Sequence, residues 1–217
     1  MNKNSIIYLS GHKGLIGSAI YKILKKNNYK NIIVKDKKTL DLTNQVKVNL
    51  FFKKHKPEIV IHAARNSKGI LENIKTPYDI YSQNLLMGFN TIKSAYENSV
   101  KRFIYLGSSC VYPNNIYKPI KEEHLFNGKL EKTSMSYALS IISCLQMCLS
   151  INKQINKNIF LPIIPNTVYG ENDNFDLKSA HVLPALIRRF HLAKVNNYKK
   201  IKLWGNGDVK REFIYSD

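Results

Sequence analysis

The sequence predicts an α/β fold in which a doubly wound parallel sheet is followed by the beginning of a smaller, incomplete C-terminal region. Three observations predict it. Segments with the apolar pattern of strands alternate along the chain with segments of helical periodicity, as in βα units. The segment at 58–63, EIVIHA, is almost continuously apolar, as a strand covered on both faces should be. The first strand leads through a glycine turn directly into the first helix.

The glycine turn is the most informative segment of the chain. An apolar run at 6–9 leads into it and an apolar-periodic segment follows to about Lys26, which is the context in which such a turn binds a dinucleotide. Gly11 allows a tight turn, Gly14 lets the backbone approach a pyrophosphate, and Gly17 lets the helix pack closely on its strand. The helix N-terminus presents free N–H groups to the phosphates. The segment therefore predicts a Rossmann-type sheet.

The later elements extend this pattern along the chain. Thr43 can cap a helix, Pro77 suits a first helical turn, and the pattern changes after Pro165. We therefore predict an NADP-binding domain over 1–165 and a partial substrate-binding region over 166–217. The predicted strands after the first are 31–35, 58–63, 102–106, 159–164, 201–204 and 211–215, and the predicted helices after the first are 43–55, 77–98, 136–156 and a short one from about 181.

Composition indicates a globular chain with an unusual charge. Its 217 residues, 44% of them hydrophobic, can bury one good-sized core or one domain plus part of another. The net charge of +19 comes from lysines scattered through helices and turns, without an arginine-rich arm or an RNA-stacking motif. We therefore expect no nucleic acid partner. No apolar run is predicted to reach the length of a membrane span and no signal-peptide pattern is present, so we expect a cytoplasmic protein without a membrane partner.

The three cysteines, Cys110, Cys144 and Cys148, predict neither a disulfide framework nor a metal site, because their number and spacing suit neither. Cys144 and Cys148 lie four residues apart on a predicted helix. There we interpret them as small buried side chains.

Six segments carry motifs that the fold alone does not require. They are GHKGLIGSAI, LGSSCVYP, SYALS, NTVYGENDNF, SAHVLPALIRRFH and LWGNGDVKREF. With these motifs the chain resembles the extended short-chain dehydrogenases/reductases, also called the NAD-dependent epimerase/dehydratase family. Within that family it resembles the GDP-L-fucose synthases, which epimerise and reduce GDP-4-keto-6-deoxymannose. The resemblance covers essentially the whole chain.

The resemblance implies four catalytic residues. Ser108 would hydrogen-bond the 4-keto oxygen of the substrate, and Tyr137 would donate a proton to that oxygen while hydride reaches C4. Cys110 and His181 match the acid/base pair that epimerises the sugar. Protons next to a ketone are acidic enough for a positioned base to remove while donors hold the enolate, and reprotonation from the opposite face inverts the carbon.

The resemblance also implies NADP as the cofactor. An acidic residue after the second strand is typical of NAD enzymes and a basic cluster of NADP enzymes. We take Lys35 and Lys37, together with Lys13 in the glycine turn, as the 2′-phosphate site and Asp36 as incidental, and Asp41 would lie near the adenine. The other predicted cofactor contacts are Gly11, His12, Gly14, Leu15, Ile16, Gly17, Ala63, Ala64, Leu106, Tyr137, Pro165, Asn166 and Val168.

For the substrate, the resemblance implies a GDP-sugar held by Asn166, Arg189, Trp204 and Arg211. The planar forks of the two arginines suit bidentate contacts to a diphosphate. By the same resemblance we expect a homodimer formed through the helices at 77–98 and 136–156.

Three departures from the family pattern qualify these expectations. The family motif is tyrosine, three residues, lysine, but Ile141 stands where the lysine is expected. In the family that lysine binds the nicotinamide ribose and promotes ionisation of the tyrosine, and isoleucine can do neither. The loop at 65–69 is larger and less glycine-rich than usual, and family members continue well beyond the Arg-Glu-Phe segment. We expect weak reduction that an Ile141→Lys substitution raises.

Two alternatives stay open at the level of sequence. The chain could be a non-catalytic nucleotide- or nucleotide-sugar-binding relative, because the glycine turn is intact while the hydride-transfer motif is not. It could instead catalyse only epimerisation through Cys110 and His181, since that proton exchange consumes no hydride.

Overall fold

The computed structural model describes residues 2–116, 119–203 and 205–217. Two parallel sheets contain the strands, one of five strands and one of two. The strands are β1 (Ile7–Ser10), β2 (Ile32–Ile33), β3 (Ile59–His62), β4 (Arg102–Leu106), β5 (Phe160–Ile163), β6 (Thr167–Tyr169) and β7 (Phe213–Tyr215). The α-helices are α1 (Leu15–Lys26), α2 (Gln45–His55), α3 (Ile70–Lys75), α4 (Pro77–Glu97), α5 (Met135–Ile155) and α6 (Val182–Val195). Three short 3-10 helices cover Ser109–Val111, Glu122–His124 and Lys132–Ser134.

The large sheet has the order β2-β1-β3-β4-β5, and all four pairings are parallel. The chain runs from β1 to β2 on one side and then crosses back to β3 on the other side of β1. The strand order therefore reverses at β1, and such a switch point opens a crevice at the carboxyl ends of the strands. The doubly wound parallel sheet predicted from the sequence is confirmed.

The two faces of the sheet pack against different helices. Tyr8, Val60, Phe103 and Phe160 alternate with their neighbours along four strands and join the large core cluster that α2, α4 and α5 complete. Residues of the opposite face form a second cluster with Leu24 of α1. Because both faces are covered, the strands are apolar almost throughout, as the segment at 58–63 predicted.

Helix α5 is apolar because the core uses it. The segment Lys132–Ile155 is long and apolar enough to cross a membrane by length and composition alone. The prediction from sequence that no apolar segment is long enough to span a membrane was therefore wrong. The buried side chains of α5 include Ile141, Leu145 and Ile151, all members of the large core cluster. The apolar composition of α5 is thus explained by its packing against α4 and the sheet.

Four local predictions were wrong. Asn44, and not Thr43, caps α2, because its side chain accepts the backbone N–H of Lys47 at 3.0 Å. The short helix α3 was not predicted; none of its residues is buried, and its apolar side chains Ile70, Leu71 and Ile74 are about half exposed. The short predicted helix from 181 is the 14-residue α6. The strand predicted at 201–204 is absent from 201–203, and residue 204 lies outside the described residues. The strand β7 pairs in parallel with β6.

His62, at the end of β3, makes stability depend on pH. The imidazole is buried, stacks on the Tyr105 ring at 5.5 Å and has Ser10 Oγ 3.1 Å from its Nδ1. Burial, aided by the charge of Arg65, lowers the pKa of His62 to about 3. Between about pH 6.5 and pH 3 the unfolded chain therefore binds a proton that the folded chain does not.

As the pH is lowered through that window, we expect His62 to reduce the free energy of unfolding by about 1.4 kcal/mol for each pH unit. Urea unfolding at several pH values between 4 and 7 measures this slope. A His62→Phe variant should show a shallower slope, whereas His191→Gln, at an exposed position on α6, should keep the slope of the parent chain. Equal slopes for the parent and His62→Phe would contradict the assignment.

Candidate active site

The glycine turn lies at the carboxyl end of β1 and is closed by backbone contacts. Gly11 has φ +73°, and a Cβ there would lie 2.5 Å from the backbone nitrogen of Ala64 after β3. A Cβ on Gly17 would lie 2.1 Å from the carbonyl oxygen of Gly11. Gly14 is the N-cap of α1 and makes no side-chain capping bond, and the first turn of α1 carries no acidic residue. This helix end can therefore accept a phosphate.

Gly17→Ala is expected to destabilise the fold, because its methyl group would collide with backbone that cannot yield easily. Overpacking of this kind costs about 1–3 kcal/mol. Thermal unfolding of the variant measures the loss. Gly14→Ala is the matched control, because φ is −80° there and the nearest atom to an added Cβ is 3.5 Å away. Equal melting temperatures for the two variants would contradict the steric account.

Ser108 and Cys110 lie together at the carboxyl end of β4. Ser108 precedes the short 3-10 helix Ser109–Val111, and this turn brings the Cys110 Sγ within 3.3 Å of the Ser108 Oγ. Burial raises the pKa of the Cys110 thiol, and the Ser108 hydroxyl and the charge of Arg65 oppose that shift. The site therefore holds a protonated thiol that can exchange a proton with a bound molecule.

Tyr137 projects from the first turns of α5 into the core cluster and is 8% exposed. Ile141 lies one turn later on the same side of the helix and is fully buried in the same cluster. Its aliphatic side chain thus occupies a packed position in this chain and brings no charge to the tyrosine.

The loop at 63–69, which follows β3, connects the crevice to the later part of the chain. The Ser67 Oγ lies 3.0 Å from the His181 Nε2, and the backbone N–H of Gly69 donates to the Ser179 carbonyl at 3.0 Å. Desolvation lowers the pKa of His181, and the nearby Asp173 carboxylate opposes this shift. His181 is therefore held neutral near pH 7, in a form that can accept a proton.

The model of the NAD dependent epimerase/dehydratase family matches residues 7–217. The chain belongs to this family. Among curated proteins, the GDP-L-fucose synthase of Sinorhizobium fredii is 42% identical over 211 residues, which cover 97% of this chain and 67% of that protein. The GDP-L-fucose synthase of Escherichia coli is 35% identical over 97% of this chain and 65% of its own length. The chain thus spans about two thirds of the length of these relatives.

Solved structures of the epimerase/dehydratase type resemble the chain closely. A GDP-mannoheptose C4 reductase from Campylobacter jejuni with NADP bound is 39% identical with a TM-score of 0.89. A GDP-D-glycero-L-gluco-heptose synthase from the same organism, in the presence of NADPH, is 36% identical with a TM-score of 0.91. All of this chain is covered in both comparisons, against 70% and 72% of the solved chains. The sequence-level resemblance to this family is therefore confirmed.

Two of the lysines predicted to bind the cofactor, Lys13 and Lys35, lie beside different groups in the structure. Lys13 in the glycine turn forms an ion pair with Asp36 at 2.9 Å, and the His12 Nε2 lies 3.5 Å from the same carboxylate. Asp36, which we interpreted from the sequence as incidental, thus lies against two residues of the glycine turn. The charge of Lys35 contributes, after burial, to a lowered pKa of His55 on α2. Asp41 accepts the Thr43 backbone N–H and hydroxyl, and these bonds lower its pKa.

The residues predicted for the substrate lie beyond β5 and are mostly exposed. The Asn166 side chain donates to the Glu212 carboxylate at 2.8 Å, next to the exposed Arg211. Arg189 on α6 donates to the Lys202 carbonyl at 3.4 Å. Trp204 lies outside the described residues. Among the other predicted contacts, Ala63, Ala64 and Leu106 lie at the ends of β3 and β4, Pro165 follows β5, Val168 lies on β6, and Leu15 and Ile16 begin α1.

Sequence reasoning missed the residues that join these segments. Arg65 was noted only as part of an unusual loop, yet both terminal nitrogens of its guanidinium are buried and the guanidinium carbon lies 5.1 Å from the centre of the Tyr105 ring. Asn84 on α4, which holds that loop, carried no sequence signal because an asparagine inside a predicted helix is normally on the surface. The only sequence signal for Ser67 as a site residue is that it is a polar residue in the loop after a predicted strand.

Proposed function

We propose that the chain is the catalytic core of a GDP-sugar epimerase/reductase that converts GDP-4-keto-6-deoxymannose to GDP-L-fucose with NADPH. One observation carries the proposal most directly. The Ser108 hydroxyl and the Cys110 thiol are 3.3 Å apart at the carboxyl end of β4, in a chain 35–42% identical to GDP-L-fucose synthases of two bacteria. The His181 imidazole contacts Ser67 in the loop after β3, the neighbouring strand of the sheet.

The glycine turn supports a dinucleotide cofactor. Side chains at Gly11 and Gly17 would fill the cradle, and the uncapped N-terminus of α1 leaves N–H groups for a pyrophosphate. When bound, NADPH supplies the hydride for C4. We assign the 2′-phosphate to Lys13, which an exposed ion pair with Asp36 holds beside the turn, with Lys35 and Lys37 nearby in sequence.

Epimerisation is assigned to Cys110 and His181. Each inversion requires one group to remove a proton from the carbon next to the ketone and another to return a proton on the opposite face. A neutral imidazole at the N-cap of α6 and a protonated thiol in the turn after β4 can perform this exchange. One inversion leaves an imidazolium and a thiolate, and a second inversion with the roles reversed, or proton exchange with solvent, restores both groups. The Ser108 hydroxyl can donate a hydrogen bond to the oxygen of the enolate formed between the two steps.

Reduction is assigned to Tyr137 with Ser108. In this assignment Ser108 holds the 4-keto oxygen by a hydrogen bond, and the Tyr137 phenol transfers its proton to that oxygen as C4 accepts a hydride. The products are an alcohol at C4, the oxidised cofactor and a phenolate that regains its proton from solvent. A positive charge near that phenolate favours the step.

One incubation distinguishes this function from its alternatives. The purified chain is mixed with GDP-4-keto-6-deoxymannose and NADPH in deuterated water, and both NADPH oxidation and deuterium in the sugar are measured. We expect deuterium at C3 and C5 together with GDP-L-fucose. Deuterium without NADPH oxidation would identify an epimerase alone. Neither change, with NADPH still bound in a fluorescence titration, would identify a nucleotide-binding relative and contradict the proposal.

A further inference from the structure

Asp36 lies at the place in the fold that faces the adenosine ribose of a bound dinucleotide. It follows β2 and stands about twenty residues after the last glycine of the turn, the spacing at which an acidic residue binds the ribose 2′-hydroxyl of NAD. β2 pairs in parallel with β1, so the segment after β2 emerges beside the glycine turn, at the same edge of the sheet. The position of Asp36 therefore predicts a contact with the adenosine end of the cofactor.

The Asp36 carboxylate contacts two residues of the glycine turn. The Lys13 Nζ donates a hydrogen bond to its Oδ2 at 2.9 Å, and the His12 Nε2 lies 3.5 Å from its Oδ1. The hydrogen bond from Lys13 is the main cause that lowers the pKa of the Asp36 carboxyl, so this group is an anion near neutral pH. The Lys13 and Asp36 side chains both remain accessible to solvent, and a ligand can therefore reach them.

The backbone of Asp36 is held in place independently of its carboxylate. Its carbonyl oxygen accepts the backbone N–H groups of Thr39 at 3.0 Å and Leu40 at 2.8 Å, and the Thr39 hydroxyl at 2.9 Å. Leu40 is buried in the large core cluster, which anchors this turn to the body of the protein. The fold therefore fixes where the carboxylate stands, and a substitution that removes only the carboxylate should leave the turn intact.

The Asp36 carboxylate and a 2′-phosphate would compete for the same ammonium group. In the proposed cofactor site Lys13 binds the 2′-phosphate, so NADPH would bring a second anion to the group that Asp36 already contacts. Like charges a few ångströms apart repel each other even in water. The flanking Lys35, Lys37 and Lys38 supply further positive charge, so NADPH can still bind. NADH has a hydroxyl group at this position, which can donate a charge-assisted hydrogen bond to the carboxylate.

We propose that Asp36 determines the cofactor specificity of this chain and lets it bind NADH in addition to NADPH. The proposal deepens the proposed function and rests on it for the place of the cofactor. With NADH, Asp36 accepts a hydrogen bond from the ribose 2′-hydroxyl and keeps its ion pair with Lys13. With NADPH, Lys13 serves two anions at once, and Asp36 weakens the binding of the 2′-phosphate.

The test measures the Kd of each reduced nucleotide by its fluorescence and needs no turnover. For the parent chain we expect the Kd values of NADH and NADPH to differ by less than about tenfold. In Asp36→Asn we expect the ratio of the Kd for NADH to the Kd for NADPH to rise by roughly tenfold, because the repulsion of the 2′-phosphate is lost and an amide is a weaker acceptor for the 2′-hydroxyl. A general disturbance of the site would weaken both nucleotides alike and leave this ratio unchanged.

Glu97→Gln is the matched control, because it removes one carboxylate from another exposed ion pair, the one with Lys93 on α4. The chain passes from Glu97 to the amino end of β4, so this pair lies at the opposite edge of the sheet from the glycine turn. The control should bind both nucleotides like the parent chain. In a Lys13→Gln background, Asp36→Asn should change the ratio of Kd values less than it does alone, because Lys13 is the group for which the two anions compete.

The outcomes separate this proposal from the proposed function. The same ratio of Kd values in the parent chain and in Asp36→Asn, or binding of NADPH without measurable binding of NADH in the parent chain, would overturn the role of Asp36 and leave the proposed function standing. Failure of the parent chain to bind either nucleotide would contradict the proposed function and overturn this proposal with it. Circular dichroism confirms that each variant is folded before its Kd values are compared.

Discussion

Replacement of Tyr137 by phenylalanine is expected to lower kcat for NADPH-dependent reduction by about 10²–10⁴-fold, the usual contribution of a positioned general acid. The substitution removes only the phenolic oxygen. The ring, which is 8% exposed and packed in the core cluster, keeps its place, so stability should change little. Steady-state NADPH oxidation with GDP-4-keto-6-deoxymannose measures the effect, and deuterium exchange into the sugar should survive because it does not use this proton.

Tyr96→Phe provides the matched control for this experiment. Tyr96 is a partly exposed tyrosine on α4 whose hydroxyl accepts a hydrogen bond from Gln154, far in sequence from the crevice. It should reduce substrate at the rate of the parent chain. Reduction at the parent rate by Tyr137→Phe would contradict the assignment of Tyr137 as proton donor.

Replacement of Cys110 by serine and of His181 by glutamine is expected to lower deuterium exchange into the 4-keto sugar by about 10²–10⁴-fold in each case. Both variants should show a similar loss, because every inversion needs a proton to leave one face and another to arrive at the opposite face. The double variant should be little worse than either single one, since groups that act as a unit do not contribute additively. Mass spectrometry of the sugar in deuterated water measures the exchange.

His191→Gln tests whether the effect is specific to the crevice. His191 lies on the same helix as the segment that His181 begins, and it is exposed. Its variant should exchange deuterium at the parent rate. If Cys110→Ser exchanges as fast as the parent chain while His181→Gln does not, the acid/base pair proposed here is wrong and another donor replaces the thiol.

The parallel sheet could be predicted because its signals are local. β4 lies at Arg102–Leu106, where the apolar run placed it, and β3 and β5 each end within two residues of their predicted bounds. A strand covered on both faces is apolar along its whole length, so it can be recognised without knowing which strands lie beside it. The glycine turn is equally local, since Gly11 and Gly17 meet within seven residues of each other.

The second sheet could not be predicted in the same way. The segments at 201–204 and 211–215 have similar apolar alternation, yet β7 at Phe213–Tyr215 pairs with β6 and the segment at 201–203 is not a strand. Alternation of apolar and polar residues predicts that a segment can form a strand, but it does not determine which other strand that segment pairs with. Here the partner, Thr167–Tyr169, lies more than forty residues away.

The sequence alone determined the sheet, the glycine turn and the pair Ser108 and Cys110, because each of these depends on residues that are close along the chain. Only the tertiary structure decided that Ser67 meets His181 and that the buried guanidinium of Arg65 lies over the Tyr105 ring. The first contact joins residues 114 positions apart, and the reciprocal bonds between Asn66 and Asn84 hold the loop that carries both Arg65 and Ser67. A charge is visible in the sequence, but its burial and its neighbours arise from packing.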